Sequence, residues 1–212
     1  MATLPTVEVP GFREALKKER SLRDRAFLGG NEIVCGVVVR QLSLRTSLFL
    51  EHAQNGFFIP FRFDDDLEVL AHALQVLYFS SPDWKEPEVK PFTIWSHWTE
   101  TLRQQRFQRK ALRGNTPSGV VKEVREWIDE AMMDCPAGKE SEVPKQSYVS
   151  YPASLLDVFA AANYHFTYSD ILDMPLKRLW QHYRLAVNRV YEAPLANPSD
   201  VIAVEHIGKV AA

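Results

Sequence analysis

The clearest pattern of hydrophobic and polar positions runs from Phe166 to Tyr191, and it predicts a short helix followed by a long amphipathic one. Thr167 and Asp170 have the spacing of a capping box, which predicts the start of the short helix. Asp173, two residues before Pro175, predicts the start of the long helix and serves as its expected N-cap. The apolar residues of the long helix predict one buried face: Leu176, Leu179, Trp180, Tyr183, Val187, Val190 and Tyr191. Its solvated face is expected to hold Lys177, Arg178, Gln181, Arg184 and Arg189.

Further helices are predicted wherever apolar residues keep helical spacing between capping and breaking residues. Their expected spans are Phe12–Phe27, Ser43–Gln54, Leu67–Phe79, Thr93–Arg113, a helix capped by Thr116-Pro117 and reaching about Asp134, and Ala153–Asn163. The helices Ser43–Gln54 and Leu67–Phe79 are expected to form an antiparallel pair. The helix Leu67–Phe79 is predicted to bury one face, formed by Leu67, Leu70, Ala71, Leu74, Leu77 and Tyr78. The helix that begins at Thr116-Pro117 is predicted to bury Val120, Val121, Val124, Trp127, Ile128, Ala131 and Met132.

Two short segments have the composition of strands. The β-branched run Ile33–Val39 suits a buried strand, and Gly56–Phe63, which contains Pro60, suits an edge strand beside it. The expected fold is therefore mainly α, a compact multi-helix domain with at most a minor β element near residues 33–39 and 57–63.

The same pattern gives an expected domain organisation. An N-terminal helical region covers residues 1–135, with residues 92–135 as a candidate helical insertion. Apolar periodicity disappears over residues 136–152, which predicts a surface loop. Residues 153–192 are expected to pack on the same core, and residues 193–212 form a tail.

Composition and charge narrow the class of protein. The chain has 212 residues, 46% hydrophobic and 25% charged, with a formal net charge of −2, which fits a globular protein and argues against general nucleic-acid or membrane binding. No signal pattern opens the chain, and the longest uncharged apolar run is too short to span a bilayer, so a cytosol-like compartment is expected. Cys35 and Cys135 have neither metal-ligand nor disulfide spacing.

Candidate metal sites are few, and structural explanations are favoured for each. Asp64-Asp65-Asp66 could hold Mg²⁺, but carboxylates directly before a helix also suit its N-terminus, and capping is the favoured interpretation. His97 and Glu100 supply only two of the four ligands that a zinc site needs. The acidic and lysine set between Pro82 and Lys90 has the order found in metal-dependent nucleases, but it is too short and too rich in proline.

Motifs for other chemistry are equally scarce. The six histidines are scattered, no nucleophile-elbow motif occurs, and the glycines at 114–119 lack the lysine of a phosphate-binding loop. We therefore predict a protein that is not an enzyme and needs no metal or cofactor.

One charge pattern is unusual. A basic stripe (Arg103, Arg106, Arg109, Lys110 and Arg113) lies on one predicted helix, and an acidic set (Glu123, Glu126, Asp129, Glu130 and Asp134) lies on the next. The favoured interpretation is internal pairing or simple solvation, the next an acidic protein partner, and the last nucleic acid.

Two aromatic stretches have more large apolar side chains than a narrow helical stripe can bury. Their residues are candidates for binding a partner: Phe57, Phe58, Phe61, Trp95 and Trp98. The alternative, that they complete the local core, is slightly favoured.

Two blocks carry a family resemblance. The block from Val39 to Trp84 contains an apolar helix, an aromatic NGFF turn and an acidic cap, and the block from Ser150 to Ala186 contains the ILDMPL turn. Together they resemble the small helical tail assembly chaperones of tailed bacteriophages. The helices over residues 93–134 fall outside the resemblance.

The resemblance implies a non-enzymatic assembly factor in the host cytoplasm. Such a protein binds the tape measure protein, keeps its hydrophobic segments from aggregating, and brings tail-tube protein to it; a homo-oligomer is also compatible. The alternatives are a structural component of a phage tail or neck and, third, a small metal-dependent enzyme.

Overall fold

The computed structural model describes residues 27–84, 94–133 and 151–192, and five helical positions before them, Glu14, Lys17, Ser21, Asp24 and Arg25. In these ranges, seven helices and one hairpin have defined bounds: β1 (Asn31–Val34), β2 (Val37–Arg40), α1 (Leu44–His52), α2 (Asp66–Phe79), α3 (Ile94–Leu112), α4 (Pro117–Met132), α5 (Tyr151–Ala161), α6 (Tyr168–Asp173) and α7 (Leu176–Tyr191). The mainly α fold is confirmed, with 66% of the described residues in helices. The loop and tail predicted at 136–152 and 193–212 lie outside the described residues, apart from Tyr151 and Pro152, which begin α5.

The β element differs from the prediction. The run Ile33–Val39 is not one strand but the centre of an antiparallel hairpin, in which Ile33 pairs with Val38 and Val34 with Val37. Cys35 and Gly36 turn the chain with φ values of 52° and 71°, the left-handed conformation that two-residue hairpin loops require. The cause is therefore local: a two-residue turn lets the two halves of one apolar run pair with each other.

The expected edge strand at 57–63 does not form. Asn55 is fully buried, and its backbone carbonyl accepts the N–H groups of Phe58 and Ile59. Its side chain also accepts the N–H of Phe57 and donates to the carbonyl of His72. This segment is therefore a tight turn held by one asparagine, and its backbone groups are not presented in a row for a neighbouring strand.

Helix starts follow the capping chemistry. Asp65 caps α2 by accepting the N–H of Glu68, and Thr116 caps α4 by accepting that of Gly119, with Pro117 in the first turn. Ser43 caps α1 in the same way. The capping box of α6, formed by Thr167 and Asp170, is also present.

The start of α7 is a correction. The helix begins at Leu176 rather than directly after Asp173, and Asp173 does not cap it. The Asp173 carboxylate instead binds the guanidinium of Arg45, with Nε and Oδ1 2.6 Å apart. The N–H of Leu176 donates to the carbonyl of Leu42, so the end of the hairpin segment takes the place of a side-chain cap.

A single cluster of buried side chains joins the hairpin to the helices, and α4 lies at its centre, packed against α2, α3, α7 and β1. The buried residues of α4 are Val120, Val124, Trp127, Ile128 and Ala131, all on the predicted face. The candidate insertion at 92–135 thus contributes directly to the common core. Helices α1 and α2 do contact each other, but α2 packs most closely on α4.

Four assignments of helical faces were wrong, one of them Ala71 of α2, which was expected in the core but is exposed. Lys177, expected in solvent, is only 9% exposed, because its ammonium reaches Glu130 of α4. Tyr191 and Leu67, expected in the core, are 67% and 73% exposed. Tyr191 and Leu67 lie in terminal turns of their helices, where the spacing continues but no element in the described part of the chain covers the side chain.

Candidate partner-binding surfaces

The aromatic turn after α1 is a compact cluster rather than a free patch. The ring centroid of Phe63 lies 5.8 Å from that of Phe57, 5.3 Å from that of Phe61 and 5.5 Å from that of His72. A Cβ on Gly56 would lie 2.6 Å from the Phe63 ring, so only glycine permits this packing. The residues of this turn mainly stabilise one another.

The five predicted partner-binding residues have different environments. Phe57 and Phe58 pack against the core and are partly buried, whereas Phe61 is 41% exposed. Trp95 and Trp98 lie in the first turns of α3, and their side chains are outside the described part of the structure. The described residues therefore leave Phe61 as the most exposed of the predicted aromatic side chains.

A groove of about 520 Å³ runs between the start of α2 and the exposed side of α4. Its walls are Asp66, Val69, Pro117, Ser118, Val121, Lys122, Arg125, Glu126 and Asp129. The guanidinium of Arg125 lies 5.8 Å from the centre of the Phe57 ring, so one lining residue of this groove also contacts the predicted aromatic turn. We call it the α2–α4 groove.

A second groove, of about 460 Å³, lies between the hairpin and α4. Four carboxylates line it, Glu32, Glu123, Glu126 and Glu130, with Arg25 as a basic residue in the same lining. Leu28 and Ile33 form apolar rims and are 82% and 74% exposed. We call it the acidic groove.

Several contacts fix the walls of the acidic groove. The indole N–H of Trp127 donates to Glu32. The backbone N–H of Cys35 donates to Glu123 over 2.6 Å, and the Lys177 ammonium lies 3.1 Å from Glu130. Each contact joins α4 to another element, so the carboxylates are held at defined positions.

The sequence contained two signals for this groove that the prediction did not use. Cys35-Gly36 divides the apolar run, and because successive residues of a strand point to opposite faces, the pairing of Ile33 with Val38 places both on the outer face. The acidic set on α4 was noted, but its location beside a hairpin depended on long-range packing.

The basic stripe of α3 is exposed along its whole length. No ion pair joins it to the acidic residues of α4 within residues 94–133, so the expected internal pairing is not present there. The one ion pair described for the stripe joins Arg103 to Glu100 of the same helix, at 3.8 Å and largely in solvent. The stripe is therefore a separate basic surface.

Groups with catalytic potential have structural roles in the described part of the chain. Burial, reinforced by Glu123, raises the pKa of Cys35 to about 12, so its thiol is protonated and unreactive. The Glu100 carboxylate accepts a hydrogen bond from the Tyr78 hydroxyl. In residues 27–84, 94–133 and 151–192, no group of three or more His, Cys, Asp or Glu side chains is placed to hold a metal ion.

His182 lies in an aromatic cage. Its ring centroid is 5.4 to 5.8 Å from those of Phe27, Tyr164 and Phe166, and both ring nitrogens are buried without a hydrogen-bond partner among the described residues. Burial first, and the charge of Arg178 second, lower the pKa of His182. The neutral ring packs as a core aromatic, because there is no acceptor to orient it for proton transfer.

Comparison with known proteins gives no match to this chain among family models, curated proteins or solved structures. Within the described residues, no helix combines the length and apolar character needed to cross a membrane.

Proposed function

We propose that this protein is a non-enzymatic assembly factor that binds an amphipathic helix of a partner in the α2–α4 groove. The observation that carries the proposal is the groove itself, which has apolar walls at Val69 and Val121 and charges of both signs at its rim, one of which, Arg125, contacts Phe57 of the aromatic turn. Apolar walls with a charged rim suit a helix that presents one apolar and one polar face. The expected occupant is a helix of a bacteriophage tape measure protein, in accord with the sequence resemblance.

The chemistry of the groove supports binding rather than catalysis. Its titratable residues, Asp66, Lys122, Glu126 and Asp129, are exposed, and an exposed carboxylate or ammonium lacks the desolvation that activates a general acid or base. Exposed charged residues of this kind orient a partner helix as it binds and increase its rate of association.

Co-expression with the tape measure protein tests the proposal. The wild-type chain should increase the soluble yield of that protein and co-purify with it. Val121→Asp should abolish both effects, because it places a charge on the apolar wall of the groove. Leu185→Asp, at a 40% exposed position of α7 away from the groove, should leave both unchanged.

Measured thermal unfolding should show both variants folded. Failure of the wild-type chain to change the solubility of the tape measure protein would refute its role as a chaperone. Detection of the chain in fixed copy number in purified virions would favour the alternative of a structural tail or neck component.

A further inference from the structure

A second inference concerns the two charged surfaces of the chain. The basic stripe and the acidic groove occur on one chain whose net charge is only −2, and they are not neutralised by each other within the described residues. A chain with separated surfaces of opposite charge and little net charge experiences weak overall repulsion from its own copies. Self-association is therefore electrostatically permitted.

The two surfaces match in spacing. Glu123, Glu126 and Glu130 stand at positions i, i+3 and i+7 of α4, and Arg103, Arg106 and Lys110 have the same spacing on α3. In an α-helix this spacing places three side chains within a sector of about 60° and over a length of about 10 Å. Two helices side by side can therefore bring these three carboxylates and three cations together.

Apolar residues lie beside both sets of charges. Leu102 is 40% exposed and projects between Arg106 and Arg109 around the axis of α3. Leu28 and Ile33 on the rim of the acidic groove are more exposed still. A contact between Leu102 and this rim would bury apolar surface on both sides, which exposed ion pairs alone do not provide.

We propose that α3 of one copy docks in the acidic groove of a second copy, so that the chain assembles head to tail. Because the two surfaces are different, each copy keeps one of them free after the first contact. The assembly therefore continues beyond a dimer, either to a closed ring or to an open chain. The acidic groove shares Glu126 with the α2–α4 groove, but its other three carboxylates, Glu32, Glu123 and Glu130, line the acidic groove alone.

Two charge-reversal variants test it. Arg106→Glu reverses a charge of the stripe, and Glu126→Arg reverses one in the acidic groove. Sedimentation velocity of the full chain at low salt should show concentration-dependent assembly of the wild type, and each variant should weaken it by about tenfold or more. High salt should also dissociate the wild-type assembly, since the pairs are exposed.

Two control variants change the net charge of the chain by the same amounts as the two test variants. Arg62→Glu and Asp157→Arg alter exposed charges outside the stripe and both grooves, and both variants should assemble as the wild type does. Loss of assembly in these controls would show that net charge alone governs association, and would overturn the proposal.

Mixing the two variants gives the decisive result. Each variant alone should assemble about tenfold or more weakly than the wild type, but an equimolar mixture should form a heterodimer, because the intact stripe of Glu126→Arg fits the intact groove of Arg106→Glu. The two reversed charges are also opposite in sign, so the mixture should regain assembly beyond the heterodimer. A wild type that stays monomeric at all concentrations, or a mixture that shows no heterodimer, would overturn the proposal.

Discussion

Helices α3 and α4 follow each other in the chain and have opposite structural roles. Five side chains of α4 are buried, including Trp127, and the helix packs on α2, α3, α7 and the hairpin. In α3, from Glu100 onward, Ala111 is the one side chain that is buried, and the basic stripe faces solvent. The difference shows that α4 organises the core and that the described part of α3 mainly presents charge.

The largest test of this difference removes a large side chain from each helix. Trp127→Ala should destabilise the protein by about 3–5 kcal/mol, because the transfer and cavity terms add. Leu102→Ala should change stability by no more than about 0.5 kcal/mol, because Leu102 is already 40% exposed. Chemical denaturation measures both; equal losses would contradict the assigned roles.

The second prediction concerns the thiol held between the hairpin and α4. Cys35 is 1% exposed and its pKa is raised from 9.0 to about 12, so below pH 9 its thiolate is scarce in the folded protein. Alkylation of Cys35 should be at least about a hundredfold slower than in the unfolded chain. Peptide mapping after brief alkylation checks this, and rapid labelling of Cys35 in the native protein would show that α4 does not cover the turn.

The third prediction concerns the ion pair between α4 and α7. Lys177→Ala should lower the free energy of unfolding by about 1–2 kcal/mol, because it removes a buried aliphatic stem and the partner of Glu130. The loss stays moderate because Glu130 is half exposed and can be solvated by water instead. Arg109→Ala on α3 is the control and should lie within about 0.5 kcal/mol of the wild type. If Lys177→Ala leaves the free energy of unfolding unchanged, Lys177 belongs to the solvated face, as the sequence predicted.

The smallest effect is expected at the start of α4. Thr116→Ala should lower stability by about 1 kcal/mol, because the N–H of Gly119 loses its acceptor. Ser118→Ala, an exposed change in the first turn, should have little effect. If both variants unfold at the same temperature, the threonine does not act as the cap.

Local chemistry explains which parts of the fold were predictable. Thr116, Asp65 and Thr167 cap helices where their spacing predicted, because a cap depends only on the next three residues. Asp173 has the same local signal, but Arg45 from a distant helix binds it, so the start of α7 was predicted wrongly. Lys177 was misassigned for the same reason, since its partner Glu130 is 47 residues away.

The candidate sites were less predictable than the helices. The aromatic turn was recognised by composition, but its rings pack on one another around Gly56 and leave Phe61 as its exposed member. The grooves arise where separate elements meet, at α2 with α4 and at the hairpin with α4, and periodicity along one helix does not contain that information.

The most direct measurement of the central claim is an NMR titration of the isotope-labelled protein with a synthetic amphipathic helix from the tape measure protein. We predict saturable shift changes that centre on Val69, Val121 and Arg125 and that are absent in Val121→Asp. Shift changes that are absent from the wild type, or that lie away from the α2–α4 groove, would contradict the claim that this groove binds a partner helix.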